Sequence, residues 1–354
     1  MIRECFASAL LALCFAFFDC FNVCAEPPPL QWNKSAPLPE PRSGYASGII
    51  DGQLIIAGGT YWEGTKGNWT QKVFCSAAHA FDPVKEQWQK IPDTPIPLGY
   101  SASVVLSNKL FVLGGFTGQQ INSNIYTLEK KSGTYVWKTF GPMPGNRLFA
   151  GAVAIGASIY LLGGIEQFEP FDKIGTCCTS RTAVRTLLML DTATAEPRWR
   201  SLARFPGSPR WVFALETDGE SLWVFGGEYQ EKVSDPVTRI SEVWRYRIPK
   251  DQWELVGTVP AAAMEGSPLI PVRFEDSILL VSYKKAVWCF DCSSHVWAEA
   301  TPLPEEAFVD KFSLVNNRIV GAGGENKLDS DRRRSDWTFI GHIASNRTNK
   351  PEVK

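Results

Sequence analysis

LIIAGG, from Leu54 to Gly59, is a short apolar run that stops on two glycines, and the chain repeats it. The copies are LFVLGG (Leu110 to Gly115), IYLLGG (Ile159 to Gly164), LWVFGG (Leu222 to Gly227) and IVGAGG (Ile319 to Gly324). A degenerate copy, ILLVSY, spans Ile278 to Tyr283. Successive first glycines at 58, 114, 163 and 226 stand 56, 49 and 63 residues apart. A fixed period of this size marks a chain built from one supersecondary unit that cannot bury its own faces and must stack on copies of itself.

Working outward from the doublet defines the unit. Before it lies a tight turn, as at Asp51-Gly52, Ser107-Asn108, Asp218-Gly219 and Asn316-Asn317, the signal of a hairpin. After it come alternating segments such as Val243-Trp244-Arg245-Tyr246-Arg247, then a tryptophan: Trp88, Trp137, Trp199, Trp253 or Trp297. Proline-bearing junctions follow, such as Pro142 to Arg147, Phe205 to Arg210 and Thr301 to Pro304. Each unit therefore reads as four antiparallel strands, with the apolar run second and the tryptophan on the outermost. Six such sheets set radially bury one another's faces and leave only short edges. The expected fold is all-β, a six-bladed β-propeller over residues 26–344. The last unit lacks its tryptophan strand. That piece stands at the start, as Leu30-Gln31-Trp32 followed by Pro37 to Arg42, so the N-terminal strand should complete the last blade.

Residues 1–25 read as a signal peptide. Arg3 precedes an apolar stretch over residues 8–17, and Val23 and Ala25 occupy the −3 and −1 positions of a cleavage site. The mature protein is then expected to be exported, periplasmic or secreted, with no membrane segment, since no later apolar run approaches 18 residues. Residues 345–354 read as a polar tail. Five cysteines follow the leader: Cys75, Cys177, Cys178, Cys289 and Cys292. Structural or disulfide-bonded roles fit them better than a metal, because Cys289 and Cys292 have only His295 nearby. The 36 Lys and Arg balance 37 Asp and Glu, so no basic surface argues for nucleic acid.

In such a sheet the long loops after each glycine doublet share one face with the junctions between blades. Four of these loops are long: Thr60 to Ser76, Ile165 to Arg185, Glu228 to Arg239, and Glu325 to Ser335. Long loops on a rigid ring are the usual place for binding. Arg42, Arg147 and Arg210 sit at the junctions, each before an inner strand. They are expected to converge on the channel mouth and hold a carboxylate, or else to bond neighbouring carbonyls and hold the ring.

The doublet-and-tryptophan pattern resembles kelch propellers over almost the whole mature chain. A narrower resemblance is to the N-acetylneuraminate epimerase, or sialic acid mutarotase, family. Its Gly-Glu-x-Lys segment is matched by Gly324-Glu325-Asn326-Lys327, and its Arg-Thr-Asp by Arg334-Ser335-Asp336 ahead of the strand Trp337 to Ile340. The following Trp and Leu-Pro appear as Trp32 and Leu38-Pro39, so the order is shifted round the ring as in the cyclically permuted branch of that family. The resemblance implies that Glu325 and Arg334 are catalytic and the substrate is a small acidic sugar. Glu325 would take the anomeric proton, and Arg334 would hold a carboxylate or steady charge on oxygen. Arg332 and Arg333 compete for the Arg334 role, and Glu228 with Arg239 offers a rival pair on the fourth blade. No cofactor or metal is implied. A copper radical centre, found on one kelch propeller, would need converging Tyr and His ligands, and His79, His295 and His342 form no paired motif. The other function this sequence allows is a propeller that binds a glycan or protein on the same face without turnover.

Overall fold

Every one of the six apolar runs forms the second strand of a four-stranded antiparallel sheet. In the computed structural model, which describes residues 27–65, 68–168, 181–194, 196–232, 234–325 and 334–344, these sheets form six blades around a central channel. The inner strands are Ala46–Ile50, Ala102–Leu106, Gly151–Ile155, Ala214–Thr217, Leu269–Phe274 and Phe312–Val315. Residues 1–25, read as a signal peptide, residues 345–354, read as a polar tail, and Cys177, Cys178, Lys327, Arg332 and Arg333 lie outside the described residues.

Ring closure follows the expected route. The strand Leu30–Lys34 pairs with Thr338–Ile343 as the outer strand of the sixth blade, with Trp32 opposite Gly341. Trp32 packs edge-on to Phe312, and its indole N–H donates to the Thr301 carbonyl at 3.0 Å. The same device recurs. Trp88 donates to Ala36, Trp137 to Pro92 and Trp253 to Ala203, each reaching the junction at the preceding blade. A large ring thus fills the space between sheets while its one polar atom finds a carbonyl.

The glycine doublet makes the reverse connection. The amide of Gly59 donates to the Leu98 carbonyl, Gly115 to Arg147, Gly164 to Arg210, and Gly324 to Arg42, at 2.7–3.2 Å. Each bond links one blade to the next, and the last links blade six to blade one. Side chains are excluded here. Gly324 has φ +94°, and a Cβ on it would lie 1.7 Å from the Phe308 carbonyl oxygen. Apolar clusters fill all six gaps between blades, from Ile55 with Val112 in the first to Leu38 with Ile340 at the closure.

Two features depart from the expected plan. Three of the long loops are themselves hairpins: Thr60–Thr65 with Asn68–Phe74, Ile165–Phe168 with Arg181–Ala183, and Glu228–Tyr229 with Thr238–Arg239. Of the two cysteine alternatives, the disulfide one is corrected for this pair: Cys289 and Cys292 are buried and not bonded to each other, because they face opposite sides of blade five. Cys289 packs in the cluster against blade six and Cys292 in the cluster against blade four. Among the described residues no helix is long and apolar enough to cross a membrane.

Candidate active site in the central hollow

The six inner strands enclose a hollow of about 740 Å³, lined at one end by Ser43, Tyr100, Phe149, Glu228, Asp310 and Glu325. Isolated backbone bridges fix the repeat at this rim. Ser43 pairs with Thr60, Gly99 with Phe116, Leu148 with Ile165, Trp211 with Glu228, and Phe308 with Glu325. Thr60, Phe116, Ile165, Glu228 and Glu325 are therefore equivalent positions, each directly after a doublet position. Only two of them carry an acid.

Glu325 and Arg334 are brought together. They form a backbone bridge across the loop, and the Arg334 guanidinium donates through Nη1 to Glu325 Oε1. Arg334 is buried and spends its other contacts on Thr60, through Nε to the carbonyl at 3.2 Å and Nη2 to Oγ1 at 3.0 Å. Glu325 keeps a third of its side chain exposed toward the hollow. Burial works against the Arg334 charge, but Glu325, Tyr100 and Asp310 outweigh it and raise the guanidinium above its ordinary pKa. The ion pair thus reaches from blade six to the blade-one hairpin.

Glu228 also lines the hollow and lies in register with Arg239, but the Arg239 side chain is exposed and turned out of the lining.

The three junction arginines do not converge on the channel mouth, and none is among the residues lining the hollow. All three are buried within their own blades. Arg42 donates to the Gly58 and Ala77 carbonyls, the Glu40 carboxylate and His79 Nδ1. Arg147 binds the Asn146 carbonyl, Glu166 and Thr186 Oγ1. Arg210 binds the Ser208 and Gly226 carbonyls and Glu242. For Arg42 and Arg210 the reason is that the doublet bends the chain away from sheet pairing and leaves the Gly58 and Gly226 carbonyls in need of donors. A five-donor guanidinium supplies several at once.

Five residues of the rim and hollow escaped the sequence reading. Tyr100 and Phe149 sit one residue after the bridge positions with φ +58° and +54°, and their rings lie 4.6 Å apart. Gly44 and Val212 at the equivalent positions have φ +70° and +53°, so the left-handed turn belongs to the repeat and the two close-packed rings are what is particular here. Lys72 of the blade-one hairpin donates to Tyr100 Oη at 3.0 Å. Asp310 accepts from Ser43 Oγ at 3.0 Å, and its Oδ2 is buried with no hydrogen-bond partner. Lys311, the next residue, reaches across to blade two and donates to the Ser103 carbonyl at 2.7 Å. It forms a crossbar in the hollow. By the rim register Lys311 stands where the other blades have Ala46, Ala102, Gly151 and Ala214, so paired charges in Phe308-Val309-Asp310-Lys311-Phe312 were the available signal. Burial lowers the Lys311 pKa to about 8, against the pull of Glu216. Among the described residues no group of three or more His, Cys, Asp or Glu is placed to hold a metal ion.

The fold and rim define a six-bladed β-propeller whose largely apolar hollow carries acids and aromatic rings at one rim. The chain belongs to the kelch-repeat family: residues 67–280 match the model of the KLHDC2/KLHL20/DRC7 kelch-repeats domain. Alpha-scruin of Limulus polyphemus is 28% identical over 153 residues, which cover 41% of this chain and 16% of that protein. Kelch-like protein 40 of Mus musculus is 25% identical over 250 residues, 69% of this chain and 36% of that protein. N-acetylneuraminate epimerase 1 of Escherichia coli O6:H1 is 26% identical over 109 residues, 27% of this chain and 29% of that protein. The matches thus span well under half the length of each of these relatives.

Proposed function

We propose that the protein is an exported isomerase that interconverts the anomers of N-acetylneuraminic acid or a related acidic sugar. The observation that carries this reading is the Glu325–Arg334 ion pair, held in the wall of a hollow large enough for a monosaccharide. Its likeness over part of the chain to an N-acetylneuraminate epimerase points the same way. Anomer exchange needs a base at the anomeric hydroxyl, and Glu325 lines the hollow with a third of its side chain exposed. Arg334 is tied to Thr60 and Glu325, so its role is to orient the carboxylate. The Tyr100 and Phe149 rings give an apolar shelf for a sugar face. The leader-like residues 1–25 favour action outside the cytoplasm, in a periplasm or beyond the cell.

The test is NMR-monitored exchange from fresh α-anomer. Wild type is expected to exceed the solvent rate, and Glu325→Gln, which keeps the shape and removes the base, is expected to fall at least 100-fold. A Glu325→Gln protein as fast as wild type removes Glu325 from the mechanism. Tight binding of the sugar at the solvent rate supports instead a glycan-binding propeller. The engagement of Arg334 by Thr60, which leaves it little to offer a substrate, favours that second reading.

A further inference from the structure

We propose that Asp310 is the proton donor to the sugar ring oxygen, working opposite Glu325; this rests on the isomerase reading above. Asp310 and Glu325 line the same end of the hollow, on the two segments joined by the Phe308–Glu325 bridge. Ser43 Oγ donates to Asp310 Oδ1, so that oxygen serves as an acceptor and a proton belongs on Oδ2. Oδ2 is the atom without a hydrogen-bond partner in the protein; it is buried at the lining, so a ligand that reaches it from the hollow meets an uncommitted O–H.

The surroundings keep a large share of Asp310 protonated near neutral pH. Burial is the main cause, and the Glu325 carboxylate adds to it, together raising Asp310 to about 7 against the Gly44 N–H, Arg334 and Ser43. Tyr45, the other titratable group packed there, is itself pushed up by burial and by Asp310, so it stays neutral. The Lys311 ammonium is turned away to Ser103. The Glu325 charge acts on Asp310 directly, and an acid that keeps its proton beside an ion-paired carboxylate is the arrangement acid–base catalysis needs.

The step balances without a co-reactant. Glu325 takes the anomeric O–H proton, that oxygen's electrons form the carbonyl, the bond from the anomeric carbon to the ring oxygen breaks, and the ring oxygen takes the proton from Asp310 Oδ2. After rotation about the bond next to the carbonyl carbon, the new hydroxyl returns its proton to Asp310 as it attacks the other carbonyl face. The carbonyl oxygen then recovers the Glu325 proton, and both residues are reset.

The experiment is the pH profile of N-acetylneuraminic acid exchange with the full chain. Wild-type kcat is expected to fall as pH rises through about 7, where Asp310 loses its proton. Asp310→Asn is expected to lose at least 100-fold in kcat with KM within a few-fold, and to lose that alkaline fall. Ser43→Ala removes a bond that steadies the anion, so the alkaline fall moves to higher pH. Ser43→Ala also keeps the question answerable should Asp310→Asn not fold. An Asp310→Asn protein within threefold of wild type, or an unmoved profile in Ser43→Ala, overturns the assignment while leaving Glu325 as base. A wild type at the solvent rate overturns both readings together.

Discussion

His79 shows how far the junction arginines shape their surroundings. It is buried, accepts from Arg42 at 3.3 Å, and its pKa is lowered to about 4 by burial first and the Arg42 charge second. The native ring therefore stays neutral where an unfolded histidine takes up a proton. Stability should be lost as pH falls from about 6.5 towards 4, by on the order of 2–3 kcal/mol. Asp310 runs the other way, since the native state keeps its proton above the ordinary carboxylate range. The readable quantity is thus the difference between wild type and His79→Gln in urea unfolding at pH 7 and pH 4.5. A constant difference would refute the neutral ring. At this scale the sequence was half legible. Glu325 and Arg334 could be paired from their motif, and they meet. The arginines could not be assigned, because a guanidinium that binds a ligand and one that binds carbonyls occupy the same junction and differ only in which way the side chain turns. Asp310 had no motif of its own, only its charge in an apolar stretch.

Strands were easier to read than the loops between them. The apolar runs and hairpin turns carry a strong local signal, and all six inner hairpins form. The hairpins over the rim are held by as few as two paired residues, as at Glu228–Tyr229 with Thr238–Arg239, too short for any alternation to register. The doublet is the feature that sequence and structure share most fully, and its glycines are not equal to other glycines. Gly324→Ala must displace the Phe308 carbonyl and adopt an unfavourable φ, at a cost of about 3–5 kcal/mol. Gly52→Ala, with φ +72° and nothing within 4 Å, meets only the second penalty, about 1 kcal/mol. Thermal unfolding of the two variants separates crowding from conformation. Equal losses would show that the Gly324 contact yields.

The ring as a whole depends on one strand that is distant in sequence from its partners. Trp32→Ala removes the packing on Phe312 and Gly341 and leaves the Thr301 carbonyl without its donor. About 3 kcal/mol should be lost, with proteolysis beginning near Leu30; an unchanged melting temperature would mean that blade six stands without it. The missing tryptophan of the last repeat made this closure predictable, since a blade with three strands demands a fourth. Leu30 pairs with Ile343, and the 313 residues from Gln31 to Ile343 must be made first. At roughly 5–20 residues per second, the strand that leaves the ribosome first waits about 15–60 s for its partner. For that interval Leu30 and Trp32 sit on a nascent chain with an open edge to match at the far end. Between synthesis and closure the growing polypeptide is open to mispairing with another copy of itself, and a chaperone that shields its leading segment would have most to protect.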